Sequence, residues 1–281
     1  MKKQYLLLIA GVFSVILLFF LGRTTEDKIP VSPVPKAQKN PAFSLPDYIQ
    51  KQKSQLSPEK QAYVSQLEQE AKNGSFESKQ FTYNKLASFW GDSVPNPPLF
   101  AYYSGELSKL ENSEKKLNFA AQLFLDVLRN EKDEAIIDWL ASNSIELFEK
   151  AIQLNPENDD LKIGLGSVYI FGKGRGGAPE ETMKGIQQIL SVARKDSTNM
   201  KAQLMLGIGG YVSGQYDKAI TRLQRVVNAQ PENIEAVAFL ADTYAANGNK
   251  TEAIRWYQVL KRLANDSHHS KEIDARINQL K

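Results

Sequence analysis

The sequence predicts an all-α fold in which helix hairpins stack side by side into a solenoid. Three observations carry that prediction. The stretch SGQYDKAI at residues 213–220 returns as NGNKTEAI at residues 247–254, 34 positions later, and a fixed period between about 20 and 50 residues marks stacked repeats. After Pro46 and nearly to the end, apolar residues recur at helical spacing and no stretch alternates as a strand would. Asn155-Pro156-Glu157-Asn158 and Gln230-Pro231-Glu232-Asn233 close two helices with the same punctuation.

The chain has 281 residues, of which 42% are apolar and 24% charged, with a formal net charge of +3. That balance suits a foldable protein without an electrostatic pull toward nucleic acid. Cysteine is absent, which excludes disulfides, thiolate metal sites, a cysteine nucleophile, covalent haem attachment and a lipidated cysteine.

The elements follow in order. Residues 4–22 form an uncharged run of 19 residues, long enough as a helix to span about 28 Å, the thickness of a bilayer core. Lys2 and Lys3 precede it, whereas Arg23, Glu26, Asp27 and Lys28 cancel behind it, so the positive-inside rule leaves the N-terminus in the cytoplasm. Phe20-Leu21-Gly22-Arg23 is a poor cleavage site. Residues 1–23 are therefore expected to be a retained signal anchor, a single-pass transmembrane helix with the rest of the chain outside. Residues 24–56 contain Pro30, Pro33, Pro35, Pro41 and Pro46 among polar residues and read as a semi-rigid linker.

Ser57-Pro58-Glu59 is a helix start, with an N-cap, a first-turn proline and an early acid. Ala62, Val64, Leu67 and Ala71 then recur until Asn73-Gly74 stops the helix. Further helices are expected near residues 76–90, 98–110, 114–129 and 132–154.

Superposing the repeats places Leu240, Ala241, Tyr244, Gly248, Ala253, Tyr257 and Leu260 at recurring positions of the last unit, and Leu206, Gly207, Gly214, Ala219, Leu223, Val226 and Pro231 in the unit before. A third unit offers Leu165, Gly166 and Tyr169, then Ile189 and Val192 after a glycine-rich insertion. These residues resemble the signature of the tetratricopeptide repeat. Gly210 departs from it, since the family prefers an aromatic there. The resemblance implies a right-handed α-solenoid with close helix crossings at small residues. It covers three units in residues 159–265, with a divergent helical region over 57–158. Ile273, Ile277 and Leu280 stripe a C-terminal capping helix in 266–281. The stretches KLASFWGDS, SGELSKLENSEKKLNFAAQLFLDVL and LKIGLGSVYIFGKG, together with the anchor, resemble membrane-anchored envelope repeat proteins of Bacteroidota. That resemblance implies a protein of the cytoplasmic (inner) membrane with its C-terminal domain in the periplasm.

Catalytic candidates are thin. His268 and His269 are adjacent on a helix and cannot face one another, so a metal site from this pair is not expected. Residues 172–177, GKGRGG, follow a helix and match no nucleotide-loop pattern, which favours an inter-helix insertion over a phosphate site. Acidic pairs such as Asp159-Asp160 and Glu180-Glu181 sit where helix N-termini favour negative charge. No enzyme activity, cofactor or metal is expected.

In the family's register, the concave wall presents Ile163, Ser167, Phe171, Lys201, Leu204, Ile208, Tyr211, Glu235 and Asp242. An apolar groove with charged rims is expected to hold a partner protein's peptide or helix. The competing expectation is that the capping helix or the N-terminal helices fill the groove as core. The function expected is a membrane-tethered scaffold for envelope proteins, binding no nucleic acid. Two alternatives remain open: an assembly factor for cytochrome c maturation, and an envelope enzyme or glycan-binding module using Trp90, Tyr102, Tyr103 and Trp139.

Overall fold

The computed structural model describes residues 43–175, 178–264 and 267–281. Among them every regular element is helical. They run α1 (Leu45–Lys53), α2 (Pro58–Asn73), α3 (Phe76–Ser88), α4 (Pro97–Glu111), α5 (Glu114–Asn130), α6 (Glu134–Leu154), α7 (Asp159–Val168), α8 (Pro179–Lys195), α9 (Met200–Val212), α10 (Tyr216–Ala229), α11 (Ile234–Ala246), α12 (Lys250–Ala264) and α13 (Ser267–Leu280). A π-helical turn prolongs α3 over Phe89–Ser93, and another prolongs α7 over Tyr169–Lys173.

Local chemistry fixes many of these boundaries. The Ser57 hydroxyl accepts from the Lys60 amide and Pro58 opens α2, so an orphan donor is satisfied where a proline costs nothing. Asp133 caps α6 through the amides of Ala135 and Ile136. Asn158, Asn199 and Asn233 cap α7, α9 and α11, each side chain accepting from a first-turn amide. The turns after α9 and α11 use Gly214 at φ 74° and Gly248 at φ 78°, left-handed geometry that a Cβ would strain.

Short connections make antiparallel pairs of α5 with α6, α7 with α8, α9 with α10 and α11 with α12, and α13 lies on α12. One helix pair of this size buries only one face, so burial is completed by the next pair. Three cores result. The first joins Val64, Leu86, Trp90 and Leu99 from α2, α3 and α4. The second joins Leu117, Phe124, Leu140, Phe148 and Leu161. The third runs from Ile163 through Ile189, Leu223 and Leu240 to Ile277 of the terminal helix.

The membrane expectations are corrected. Among the described residues no helix is long and apolar enough to cross a bilayer, and residues 1–23, where the anchor was expected, lie outside the described part. The single-pass helix, the inner-membrane location and the periplasmic C-terminal domain therefore find no support. The longest helix among the described residues, α6 with 21 residues, buries Ile137, Leu140, Leu147 and Phe148 on one stripe, while Asp138, Glu146, Glu149 and Lys150 occupy the remainder. Such a helix packs in a water-exposed stack and would strand charges in lipid.

Candidate interaction groove

The first helices of successive hairpins touch one another, α5 with α7, α7 with α9 and α9 with α11. Together they form one continuous wall, the one expected to be concave. Four of the expected groove residues are sunk in it. Ile163 and Ile208 are 1% and 0% exposed, Leu204 is buried beside them, and Ser167 is buried with its hydroxyl donating to the Ile163 carbonyl at 2.8 Å. They hold the wall together and offer a ligand little surface.

The other five reach the surface or its edge. Phe171 and Tyr211 are partly buried against the third core. Lys201 pairs with Asp160 at 2.8 Å, binding α9 to α7. Asp242 pairs with Arg276 of α13 at 2.7 Å and also accepts from the Tyr257 hydroxyl. Glu235 pairs with Arg129 of α5.

Arg129 belongs to a set that the sequence register did not reach. Its guanidinium lies 4.5 Å from the centre of the Phe171 ring, close enough for a cation–π attraction. With Asp126, Asn130, Phe171 and Phe239 it lines a cavity of about 470 Å³. Phe239 stands edge-on to Tyr211 with ring centres 5.8 Å apart. The apolar spacing of α11 assigns Phe239 to a helix face, but extending the groove register back into α5 would have been needed to find Asp126 and Arg129. A second cavity of about 210 Å³ lies between α11 and the terminal helix, with Ile234, Ala238, Asp242, Ile273 and Arg276 in its walls.

Electrostatics make the inner wall self-neutralising. Burial and the bond to Asp242 push the Tyr257 phenol up to about 12. Burial alone would lower Arg276, but Asp242 and Tyr257 outweigh it and raise it above the ordinary guanidinium value. Burial, then the Asp242 charge, raises Tyr211. Each of these phenols stays protonated near neutrality.

Elsewhere the glycine-rich segment ties its cations to α6 and the connection before it. Lys173 bonds the Asp138 carboxylate and donates to the Ser142 hydroxyl at 2.9 Å. Arg175 donates to the Glu131 carbonyl at 2.9 Å. Gly176 and Gly177 lie outside the described residues. Of the aromatics weighed as a glycan surface, Trp90 is 1% and Tyr103 3% exposed, so both are core. Among the described residues no cluster of histidine and carboxylate side chains could hold a metal ion.

Comparison with known proteins places the repeat. Residues 213–276 match the tetratricopeptide repeat family model. Similar solved structures include MamA from residue 41 to its end from Desulfovibrio magneticus RS-1, at 16% identity over 67% of this chain and 98% of that one, TM-score 0.48. YrrB, described as a repeat protein of this kind with an unusual peptide-binding site, aligns at 17% identity over 71% of this chain and 94% of its own, TM-score 0.43. TTC0263, a thermophilic repeat protein of Thermus thermophilus, aligns at 16% identity over 64% of this chain and 96% of its own, TM-score 0.42. No curated protein matches the chain. The family-model match identifies the repeat at residues 213–276 and does not show the Bacteroidota envelope group.

Proposed function

Starting from a tetratricopeptide repeat protein whose residues 213–276 match the family model, we propose a protein-interaction scaffold that holds an apolar segment of its partner along the inner wall. The observation that carries this reading is the aromatic set Phe171, Tyr211 and Phe239. All three rings stay partly buried beside the third core, while the cations around them are already paired within the chain, Lys201 with Asp160, Arg129 with Glu235 and Arg276 with Asp242.

A partner segment with apolar side chains gains by covering rings at the centre of such a surface. An acidic tail would gain less, because the nearby cations are engaged. Recognition is thus by shape and apolar contact, with the ion pairs as a neutral rim.

A photo-crosslinking side chain at Tyr211, followed by identification of the captured protein, tests the reading. Capture should fall at least about tenfold, the scale of losing a central ring, in Phe239→Ala that retains its helical spectrum. Equal capture by that folded variant removes the groove from consideration.

A further inference from the structure

The ion pair between Arg129 and Glu235 joins residues 106 positions apart. Arg129 ends α5, the first helix of the first hairpin, and Glu235 begins α11, the first helix of the fourth. In a stacked array each hairpin packs on its neighbours, and the pitch is the sum of small rotations from one unit to the next. A bond that skips the two hairpins between these helices therefore acts on that sum.

We propose that Arg129 and Glu235 form a latch that keeps the inner groove closed, and that the groove widens when the pair breaks. This rests on the reading that the inner wall is the binding face. The latch stands directly at the cavity of about 470 Å³ that Arg129, Phe171 and Phe239 line, so its state decides access to the aromatic rings. Arg129 holds its place in two ways at once, through Glu235 and over the Phe171 ring in the hairpin between.

The pair is built to be broken. Its side chains are 33% and 31% exposed, so water and salt reach both, and ion pairs of that exposure are weak and screened. Neither side chain is itself part of the three hydrophobic cores. Opening therefore changes the curvature of the stack and leaves each hairpin intact. Asp126, one turn before Arg129 on α5, lines the same cavity and remains as a carboxylate beside the released guanidinium.

The absence of cysteine makes the test clean. Lys132 and Glu232 are exposed and flank the two latch residues, so the full chain carrying K132C and E232C takes one spin label at each side of the latch. The distance distribution is measured by pulsed electron resonance in about 0.1 M and about 1 M salt, where the Debye length falls from about 10 Å to about 3 Å. It should shift to longer distances in high salt. Arg129→Glu in the same background should show the long distances already in low salt, and adding Glu235→Arg should restore the short ones. Helical content by circular dichroism should be the same throughout.

A distribution unchanged by salt and by Arg129→Glu overturns the latch, as does failure of the reversed pair to restore closure. No partner enters this measurement, so its outcome is independent of whether Tyr211 and Phe239 bind one.

Discussion

Gly166 of α7 and Gly185 of α8 meet backbone to backbone: a Cβ placed on Gly185 would lie 2.4 Å from the Gly166 carbonyl oxygen, and one on Gly166 would lie 2.8 Å from that of Gly185. Backbone cannot swing aside as a flexible side chain can, so the two helices are held at a spacing that only glycine permits. Gly185→Ala should cost about 1–3 kcal/mol through forced separation of the hairpin, read by urea unfolding. At Gly214, with open space around it but φ at 74°, alanine should cost only about 1 kcal/mol from backbone strain. If Gly185→Ala proves the milder of the two, the crossing is looser than described.

The repeated asparagine caps offer a second test. Asn199 accepts from the Ala202 amide at 3.0 Å, as Asn233 does from Ala236 at the same distance. Asn199→Ala should lower stability by about 1 kcal/mol, while Asn199→Asp, which keeps the acceptor and adds charge at a helix N-terminus, should lose almost nothing. Thermal melts of the two variants beside the parent decide this; equal melting of all three would show that the cap is idle.

Tyr103 makes stability fall in alkali. Burial, reinforced by the Glu68 carboxylate that accepts from its hydroxyl at 3.2 Å, raises the phenol well above its ordinary value of 10.0. The folded state thus keeps a proton that the unfolded state gives up. Its contribution is complete below about pH 10 and declines as pH climbs from there toward the raised folded value. Unfolding free energy should drop above about pH 10, with tyrosinate absorbance growing in step with loss of helix. Tyr103→Phe should show a shallower drop. Tyrosinate appearing in advance of unfolding would place the phenol in solvent.

Glu146 acts at the other end of the scale. Burial pushes its carboxyl up, but Lys150 at 2.9 Å and Lys109 at 3.1 Å outweigh that and lower it. Because the unfolded state binds the proton more readily, the contribution is full above the unfolded value of 4.5 and disappears as pH falls through the lower folded value. Glu146→Gln should cost about 0.5 kcal/mol at neutral pH, in keeping with a half-exposed pair, and nothing near about pH 2. A deficit independent of pH would mean that the side chain acts by packing.

Local signals in the sequence were legible wherever a boundary depends on a residue and its near neighbours. Ser57-Pro58 announces α2 and the structure supplies the bond that Ser57 makes; Asn73-Gly74 stops the same helix. The recurrence at 213–220 and 247–254 contains the two left-handed glycines and runs into the starts of α10 and α12. The inner wall was less legible because α9 is buried without interruption from Ala202 to Gly210. A helix clasped between α7 and α11, with Gly209 and Gly210 allowing close approach, has little free face, so Leu204 and Ile208 read as groove while they serve as core. Arg129 escaped because its partner lies 106 positions away, and no periodicity encodes a pair at that separation. The apolar stretch at residues 4–22 was legible as composition, but composition describes a segment's solubility and not its place in a structure.

The helix α7 belongs to two cores at once: Leu161, Leu165 and Val168 pack into the second, whereas Ile163 and, in the following π turn, Ile170 pack into the third. Anyone trimming the protein to its recognisable repeats at residue 159 would keep the helix but discard half its upholstery, and the bared leucines would invite self-association. A boundary ahead of Phe43 leaves each described layer its mate, since Leu45, Tyr48 and Ile49 already lie on the first core. Shorter fragments should be judged by their tendency to clump before any loss of binding is blamed on a missing site.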